Sequence, residues 1–511
     1  KVGIMAGSYG LFSPQLYLRN LVKSRKRNDR FVVWSASASY LTSKGDYPYI
    51  LHYGGVNDSI SHERRQNSDV TVWNAEANVR FQVDRRQFLT FKWYYYDSDR
   101  GLPSATTFYS LNSSQRLSNR NTFGQVSYRN IINTHWAYQL NAKVNYDHTH
   151  YLDPEYLNAA GRLENDYKQT EGYLSNTVMY SLPFAGKEGH DRWLQVAFSH
   201  DVFHNFLKSN ALEYNNPSRI TSLAALSLLY RGRIVRVNGN VLFTAVRDWA
   251  QGMDANNFLH LSPTLGVAAD ANKNLLFRVF YKNIFRMPTF NDLYYREVGN
   301  ISLNPEKTHQ WDVGAVYNRD RLAHGRVALS VSIDGYFNIV KDKIVAFPAR
   351  NLFSWTMLNY GKVLIGGAEA NTNVQYQITK GYVLRANGNC TFQKAVDRTD
   401  PAGRTYNHQI PYTPLWSGSA GVSVETPWIT LSYSLLLSGE RYALGQNIPA
   451  NRVAGYADHS VTIGHRYKIK RTPHTLGFKC ELLNLANKNY EIVRNYPMQG
   501  FGFRVKVFYE Y

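Results

Sequence analysis

Along most of this chain apolar and polar residues alternate one for one. In the last segment Phe503, Val505, Val507, Tyr509 and Tyr511 fall on one face, and Arg504, Lys506 and Glu510 on the other. Trp136, Tyr138, Leu140, Ala142, Val144 and Tyr146 interleave with His135, Gln139, Asn141, Lys143, Asn145 and Asp147. Ile429, Leu431, Tyr433, Leu435 and Leu437 do the same against Thr430, Ser432, Ser434 and Ser438. A period of two is the signature of a β-strand with unlike faces. These runs commonly reach about ten residues, longer than the five or six usual in soluble sheets and close to what a tilted strand needs to cross a bilayer.

The connections alternate as well. Val83-Asp84-Arg85-Arg86, Arg231-Gly232-Arg233, Ala271-Asn272-Lys273-Asn274, Ile378-Thr379-Lys380-Gly381 and Glu425-Thr426-Pro427 read as short turns. Between them lie long polar segments rich in Tyr and Gly, near 42–68, 98–118, 150–167, 206–217, 285–308, 341–354, 396–413, 441–455 and 486–499. The segments predict about 22 strands, starting near 1, 14, 31, 69, 87, 119, 135, 168, 191, 218, 234, 257, 274, 309, 325, 355, 381, 414, 428, 456, 474 and 501. This count puts every long loop at one end and both chain termini at the other. An open sheet edge in hydrocarbon leaves backbone groups unpaired, so the first and last strands must meet. The expected fold is all-β: one closed antiparallel transmembrane β-barrel over 1–511, with short periplasmic turns and long extracellular loops.

Composition changes the picture little. Mean hydropathy is −0.41, as expected when one face meets lipid and the other water. No stretch of about 18 apolar residues is present, which excludes a transmembrane helix. Aromatic residues make up 14%, with 38 Tyr and 10 Trp, which suits the aromatic girdles of a barrel. The formal charge of +20 raises nucleic acid as a partner, but Lys and Arg are spread along the chain and the one dense run, Lys23-Ser24-Arg25-Lys26-Arg27, reads as a solvated turn. The sinks expected for this charge are anionic lipid at the outer surface, lipopolysaccharide included, and an acidic partner in the lumen.

Candidate chemistry is sparse. Nothing matches a Gly-x-Ser-x-Gly elbow or a His-Glu-x-x-His helix, so the chain reads as a non-enzyme. His148-Thr149-His150, and His200 with His204, read as polar surface rather than metal ligands. Asp97-Ser98-Asp99 supplies two carboxylates, too few to assign calcium. No cofactor is expected. Cys390 and Cys480 fall four strands apart and in phase with the lipid face, so they read as small apolar residues rather than a disulfide.

The informative stretch is Asn283-Ile284-Phe285-Arg286-Met287-Pro288-Thr289-Phe290-Asn291-Asp292-Leu293-Tyr294-Tyr295, followed by Gly299-Asn300 and Leu303-Asn304-Pro305-Glu306. On its own terms it ends a strand, turns at Pro288 and forms an aromatic loop, which either braces itself or binds a ligand. It resembles the signature of TonB-dependent transporters, found in that family in the seventh extracellular loop after strand thirteen. The strand count places it between strands thirteen and fourteen. The ending, Asn484-Leu485-Ala486-Asn487-Lys488-Asn489-Tyr490-Glu491, then Tyr496-Pro497-Met498 and a last strand closing on Tyr511, is similar to the same family.

The resemblance implies active uptake: a plug fills the barrel, loops capture substrate, and the TonB complex pulls the plug. The sequence departs from that pattern, because Val2 to Gly10 already reads as the first strand after a plug; the expectation is that the plug lies outside these residues, the alternative being a natural plugless barrel. Arg80, Arg278, Arg385 and Arg504 are expected to face the lumen and to suit a plug carrying carboxylates. Gly45-Asp46-Tyr47-Pro48-Tyr49, with the aromatic run above, looks most like the cobalamin (vitamin B12) branch of Bacteroides-like bacteria. On that likeness Tyr47, Tyr49, Tyr53, Phe290, Asn291, Tyr294, Tyr295 and Arg296 are the candidate substrate contacts, the alternative being that they pack loop against loop. Haem or iron–siderophore receptors are the nearest alternatives, with His52, His62 and His408 available as haem ligands; a passive porin-like channel is another. The resemblance also raises a surface lipoprotein lid over the loops.

Overall fold

The computed structural model describes all residues except 27–28, 53–58, 107–112, 185–191, 212–214, 253, 297 and 349–354. Twenty-two strands form one sheet in which every neighbouring pair is antiparallel and consecutive around the ring. The first strand, Val2–Gly7, pairs with the second, Leu11–Lys23, and also with the last, Gly502–Glu510, with Ile4 opposite Val507. Lys1 adds an ion pair across this seam, its Nζ 2.6 Å from Glu510. The sheet therefore has no free edge, as a sheet surrounded by lipid requires.

Strand starts match the alternation to within three residues, apart from the eighth strand, Leu163–Phe184, which starts five residues early. The strands that begin earlier than expected by three residues or more all descend from the long-loop end. In the eighth, tenth and fourteenth strands the outer turns are polar on both faces, as in Glu164, Asp166 and Lys168 outside against Asn165 and Gln169 inside, so there the period-two signal fades before the ladder does.

The two faces have the assigned phase. In the thirteenth strand, Leu275–Arg286, Phe277 and Val279 are exposed on the outside while Arg278 points inward. In the fourteenth, Glu306–Leu322, Trp311 and Val313 are outside and Asp312 inside. Val313 is 63% exposed and Leu259 72%, values that make sense only if lipid covers them. Cys390 and Cys480 are both free, in the seventeenth and twenty-first strands.

The lumen face is polar and internally bonded. Arg278 makes a two-pronged ion pair with Asp334 at 2.8 and 2.6 Å, and the Asp334 side chain lies across Gly314, where any Cβ would collide with it. Tyr336 lies over Gly367 and donates to Gln393 at 2.9 Å.

The buried apolar clusters lie at the long-loop end rather than in the barrel middle. One joins Val340, Tyr360, Val363, Ala395 and Ile410; another joins Tyr167, Leu207 and Phe290; a third joins Leu293, Leu303 and Ile344.

Arginine at Val313 is expected to cost about 2–4 kcal/mol, the penalty for a cation on the lipid face near the bilayer middle. Arginine at Asn371, on the lumen face, is expected to cost well under ~1 kcal/mol. Urea midpoints of the barrel folded into vesicles check this; equal losses at both sites would contradict the assigned phase.

Candidate functional site

The loop from 286 to 306 is built on its own charged residues. Pro288 stops the thirteenth strand, and a capping box starts one helical turn, Phe290–Tyr294: the Asp292 amide donates to Thr289 Oγ1 at 3.2 Å and the Thr289 amide to Asp292 Oδ2 at 2.9 Å. Arg286 stands 3.3 Å from Asp292 and 3.6 Å from Glu306, so one guanidinium ties the start, middle and end of the loop together. Glu306 in turn accepts the amide of Ile344 at 3.1 Å, and Asn300 and Asn304 bond across to Met357 and Asn359.

Beneath this loop lies a buried ion pair. Arg219 holds Asp248 with two bonds of 2.5 and 2.7 Å, donates to the Pro288 carbonyl at 2.7 Å and lies 5.3 Å from the centre of the Phe290 ring. Phe290 is 5% exposed. Tyr295 stacks on Tyr167 with ring centres 3.8 Å apart. Gln169, on the lumen face, donates to Asn291 at 2.7 Å and to the Tyr295 hydroxyl at 3.2 Å. Burial pushes the hydroxyls of Tyr294 and Tyr295 above the ordinary tyrosine range, so both stay neutral donors.

A second braced sector gathers around the last loop, 484–501. Asn489 donates to Ile50 at 2.8 Å, Tyr47 to Pro497 at 2.8 Å, and the Thr106 amide and hydroxyl to Asn495 at 2.7 and 2.9 Å. Tyr490 stacks on Tyr456 at 4.2 Å and donates to Asp458 at 2.8 Å. Arg441, 3% exposed, points its guanidinium at the carbonyls of Gly439, Ala454, Glu491 and Ile492. Gly45 has φ +64° and no room for a Cβ beside Ser68, so the turn entering Tyr47 needs glycine.

The candidate contacts thus fall into two groups, ten strands apart around the ring of 22. Phe290, Tyr294 and Tyr295 come together, but Phe290 is sealed under the loop. Asn291 and Arg296 are exposed beside them. Tyr47 and Tyr49 belong to the other sector, where Tyr49 is 5% exposed and Tyr47 is held by the last loop; Tyr53 lies outside the described residues. For the two buried rings, packing is the role the structure displays. Arg80, Arg278, Arg385 and Arg504 all lie on the lumen face. Arg80 lies 4.8 Å from the centre of the Phe88 ring, Arg385 pairs with Glu425, and Arg504 stands opposite Glu481. His408 accepts the amide of Asn447 at 3.2 Å through Nδ1, which commits it to loop bracing. His148 and His150 face Asp166 and Glu164 on the outer wall, and Asp97 and Asp99 face Arg120 and Arg116.

The motif reading missed Gln169, Arg219 and Asp248. Reflecting the hairpin about its turn near Arg233 puts 219 opposite 248, as the register has it, so that pair was readable. The stacking of Tyr167 on Tyr295, across 128 positions, was not.

A family model described as "TonB dependent receptor-like, beta-barrel" matches residues 15–485. Among solved structures, the FrpB iron transporter from Neisseria meningitidis (F3-3 variant) superposes with a TM-score of 0.73 at 13% identity, covering 100% of this chain and 81% of that one. The copper transporter OprC gives 0.72 at 14% identity, with 100% and 80% covered. The ferric-catecholate import receptor Fiu from E. coli K12 gives 0.68 at 14%, with 99% and 80% covered. At these identities the likeness is one of fold. No curated protein matches the sequence.

Arg219→Ala leaves Asp248 buried without its partner, which costs about 3 kcal/mol. Amide exchange across 287–305 is expected to quicken roughly a hundredfold while the barrel strands stay protected; unchanged exchange would show that the pair does not anchor the loop. Burial holds the Glu491 carboxyl above its ordinary range, against the opposing Asn495 amide and the Arg494 and Arg441 charges. A raised carboxyl favours the folded loop while protonated, so that contribution is complete below the unfolded value and is lost as pH rises through the folded one. Exchange across 484–501 is expected to quicken over that rise in the native protein and to stay level in Glu491→Gln; parallel profiles would contradict this.

Proposed function

This chain belongs to the TonB-dependent receptor-like β-barrel family, a family of outer-membrane proteins, and from that premise we propose that it imports a bulky, metal-centred organic chelate, a corrinoid such as cobalamin first among them. Import in this reading runs through a plug domain seated in the lumen and pulled by the TonB complex, with Arg80, Arg278, Arg385 and Arg504 on the wall that the plug faces. Twenty-two strands favour a plugged transporter over an open pore.

The observation that carries the ligand reading is the strip on the lumen side of the long-loop rim. Gln169 fixes Asn291 and the Tyr295 hydroxyl, Arg296 is exposed beside them, and the loop under them is anchored by Arg219 and Asp248. Amide, phenol and guanidinium donors on a stiff base suit a broad ligand rimmed with carbonyl groups, because groups fixed in advance lose little entropy on binding. The corrinoid preference rests on the resemblance of the Gly45–Tyr49 turn and the aromatic run. A ferric siderophore is the second reading, supported by the fold-level likeness to an iron transporter and a ferric-catecholate receptor.

Equilibrium binding of cyanocobalamin, a ferric catecholate and haem to the whole protein separates these. Submicromolar cobalamin binding is expected, weakened about tenfold (~1.4 kcal/mol) by Asn291→Ala or Arg296→Ala. Cobalamin binding no tighter than micromolar would end the corrinoid reading, and tight catecholate binding in its place would establish the second one.

A further inference from the structure

The excess positive charge is spread along the sequence, but the topology gathers it. Each inner turn lies between two strands that the ring brings to the short-turn rim. In sequence, the ten inner turns between strand ends carry thirteen Lys and Arg against four Asp and Glu. The eleven outer loops, about three times as long in total, carry twelve of each. The outer mouth is therefore electrically balanced and the periplasmic rim is strongly basic. Among the described residues seven of nine inner turns hold at least one Lys or Arg, so the charge forms an annulus rather than a patch.

The strand ends beneath the turns are ion-paired, Arg236 with Asp270, Arg385 with Glu425, and Lys1 and Arg466 with Glu510, whereas in the turns themselves Arg25, Lys26, Arg85, Lys380, Lys470 and Arg471 make no ion pair among the described residues. Asp84 caps its own turn, accepting the amides of Arg86 and Gln87 at 2.8 and 2.9 Å. Arg25, Lys26, Arg85, Lys380, Lys470 and Arg471 are exposed. Apolar side chains sit among them: Val22 beside Lys23, Val83 before Arg85, Ile234 (55% exposed) after Arg233, and Ile469 between Lys468 and Lys470. Trp428, 69% exposed, occupies an inner turn without Lys or Arg. Aromatic and aliphatic groups alternating with cationic heads are the arrangement of a membrane–water interface, where long basic side chains lay their stems on hydrocarbon and their charges at the headgroups.

We propose that this annulus binds the anionic phospholipid headgroups of the periplasmic leaflet and holds a shell of acidic lipid around the barrel. The continuous ring favours lipid over an acidic protein, which would meet one sector, and so do the apolar residues among the charges, which a soluble partner would leave uncovered. The outer loops, with balanced charge, do not serve as the main sink for anionic lipid.

Native mass spectrometry of the whole protein, delipidated and offered an equimolar mixture of phosphatidylglycerol and phosphatidylcholine, tests this. The native protein is expected to retain phosphatidylglycerol at least threefold over phosphatidylcholine, with the ratio falling as salt rises. Replacing Arg25, Lys26, Arg85, Lys470 and Arg471 together by Gln is expected to bring the ratio near one. The outer-loop control Arg404→Gln, Arg452→Gln, Lys488→Gln is expected to keep the native ratio. Unheated gel mobility confirms that each variant is folded. No preference in the native protein, a preference that survives the five replacements, or an equal loss in the outer-loop control would overturn the proposal. So would saturable binding of a soluble poly-glutamate peptide that displaces the lipid, which would assign the rim to an acidic protein.

Discussion

A backbone in hydrocarbon has only itself to bond to, and the rest of this molecule follows from that constraint. Every amide and carbonyl in the spanning zone needs a ladder partner, so the sheet closes and Val2–Gly7 meets Gly502–Glu510 across the full length of the chain. Closure at 22 strands leaves an interior too wide for side chains to fill. The barrel therefore has no dry centre of its own, and its inner wall is a mosaic of hydrogen bonds and ion pairs such as Arg278 with Asp334.

Because the barrel has no central core, apolar burial moves to the long-loop rim. The clusters around Val363, around Leu207 and Phe290, and around Leu293 and Ile344 do there what a core does in a soluble domain. Charged groups do related work: Arg286 joins Asp292 to Glu306, and Arg219 with Asp248 carries Pro288. Residues that look like ligand contacts in a one-dimensional motif are, in three dimensions, partly the supports of the loop. The motif Phe-Arg-x-Pro with its later Asp and Pro-Glu is mostly a recipe for a stiff loop, and what that loop leaves uncovered, Asn291 and Arg296 among it, is the surface proposed for recognition.

What was legible in the sequence follows range. Strand phase is a property of neighbours two apart, and hairpin register of residues reflected about a short turn, so faces, strand number and even the Arg219–Asp248 pair can be read. The brace that ties the last loop to the first ones cannot. Asn489 reaches Ile50 and Asn495 reaches Thr106, across 439 and 389 positions, and no local pattern encodes such a meeting. For Phe290 and Tyr49 the sequence leaves packing and ligand contact both open, because an aromatic ring in a polar loop looks alike in either role until its burial, 5% exposed in each case, is known.

Charge shows the same limit more sharply. A run of basic residues is easy to see, whereas one or two per turn, about 50 residues apart, look like even dilution. An up-and-down barrel maps every second turn onto one rim, so the relevant period is that of a hairpin pair rather than of neighbours in sequence. Summed at that period, the connections resolve into a neutral mouth and a basic base, the inner turns carrying nine of the overall +20 and the strands with Lys1 the rest. A neutral mouth suits loops that must admit a ligand without trapping every anion that drifts past. A basic base suits a rim that sits against headgroups and keeps its vertical position in the membrane, since moving it inward or outward would strip cations of their lipid partners.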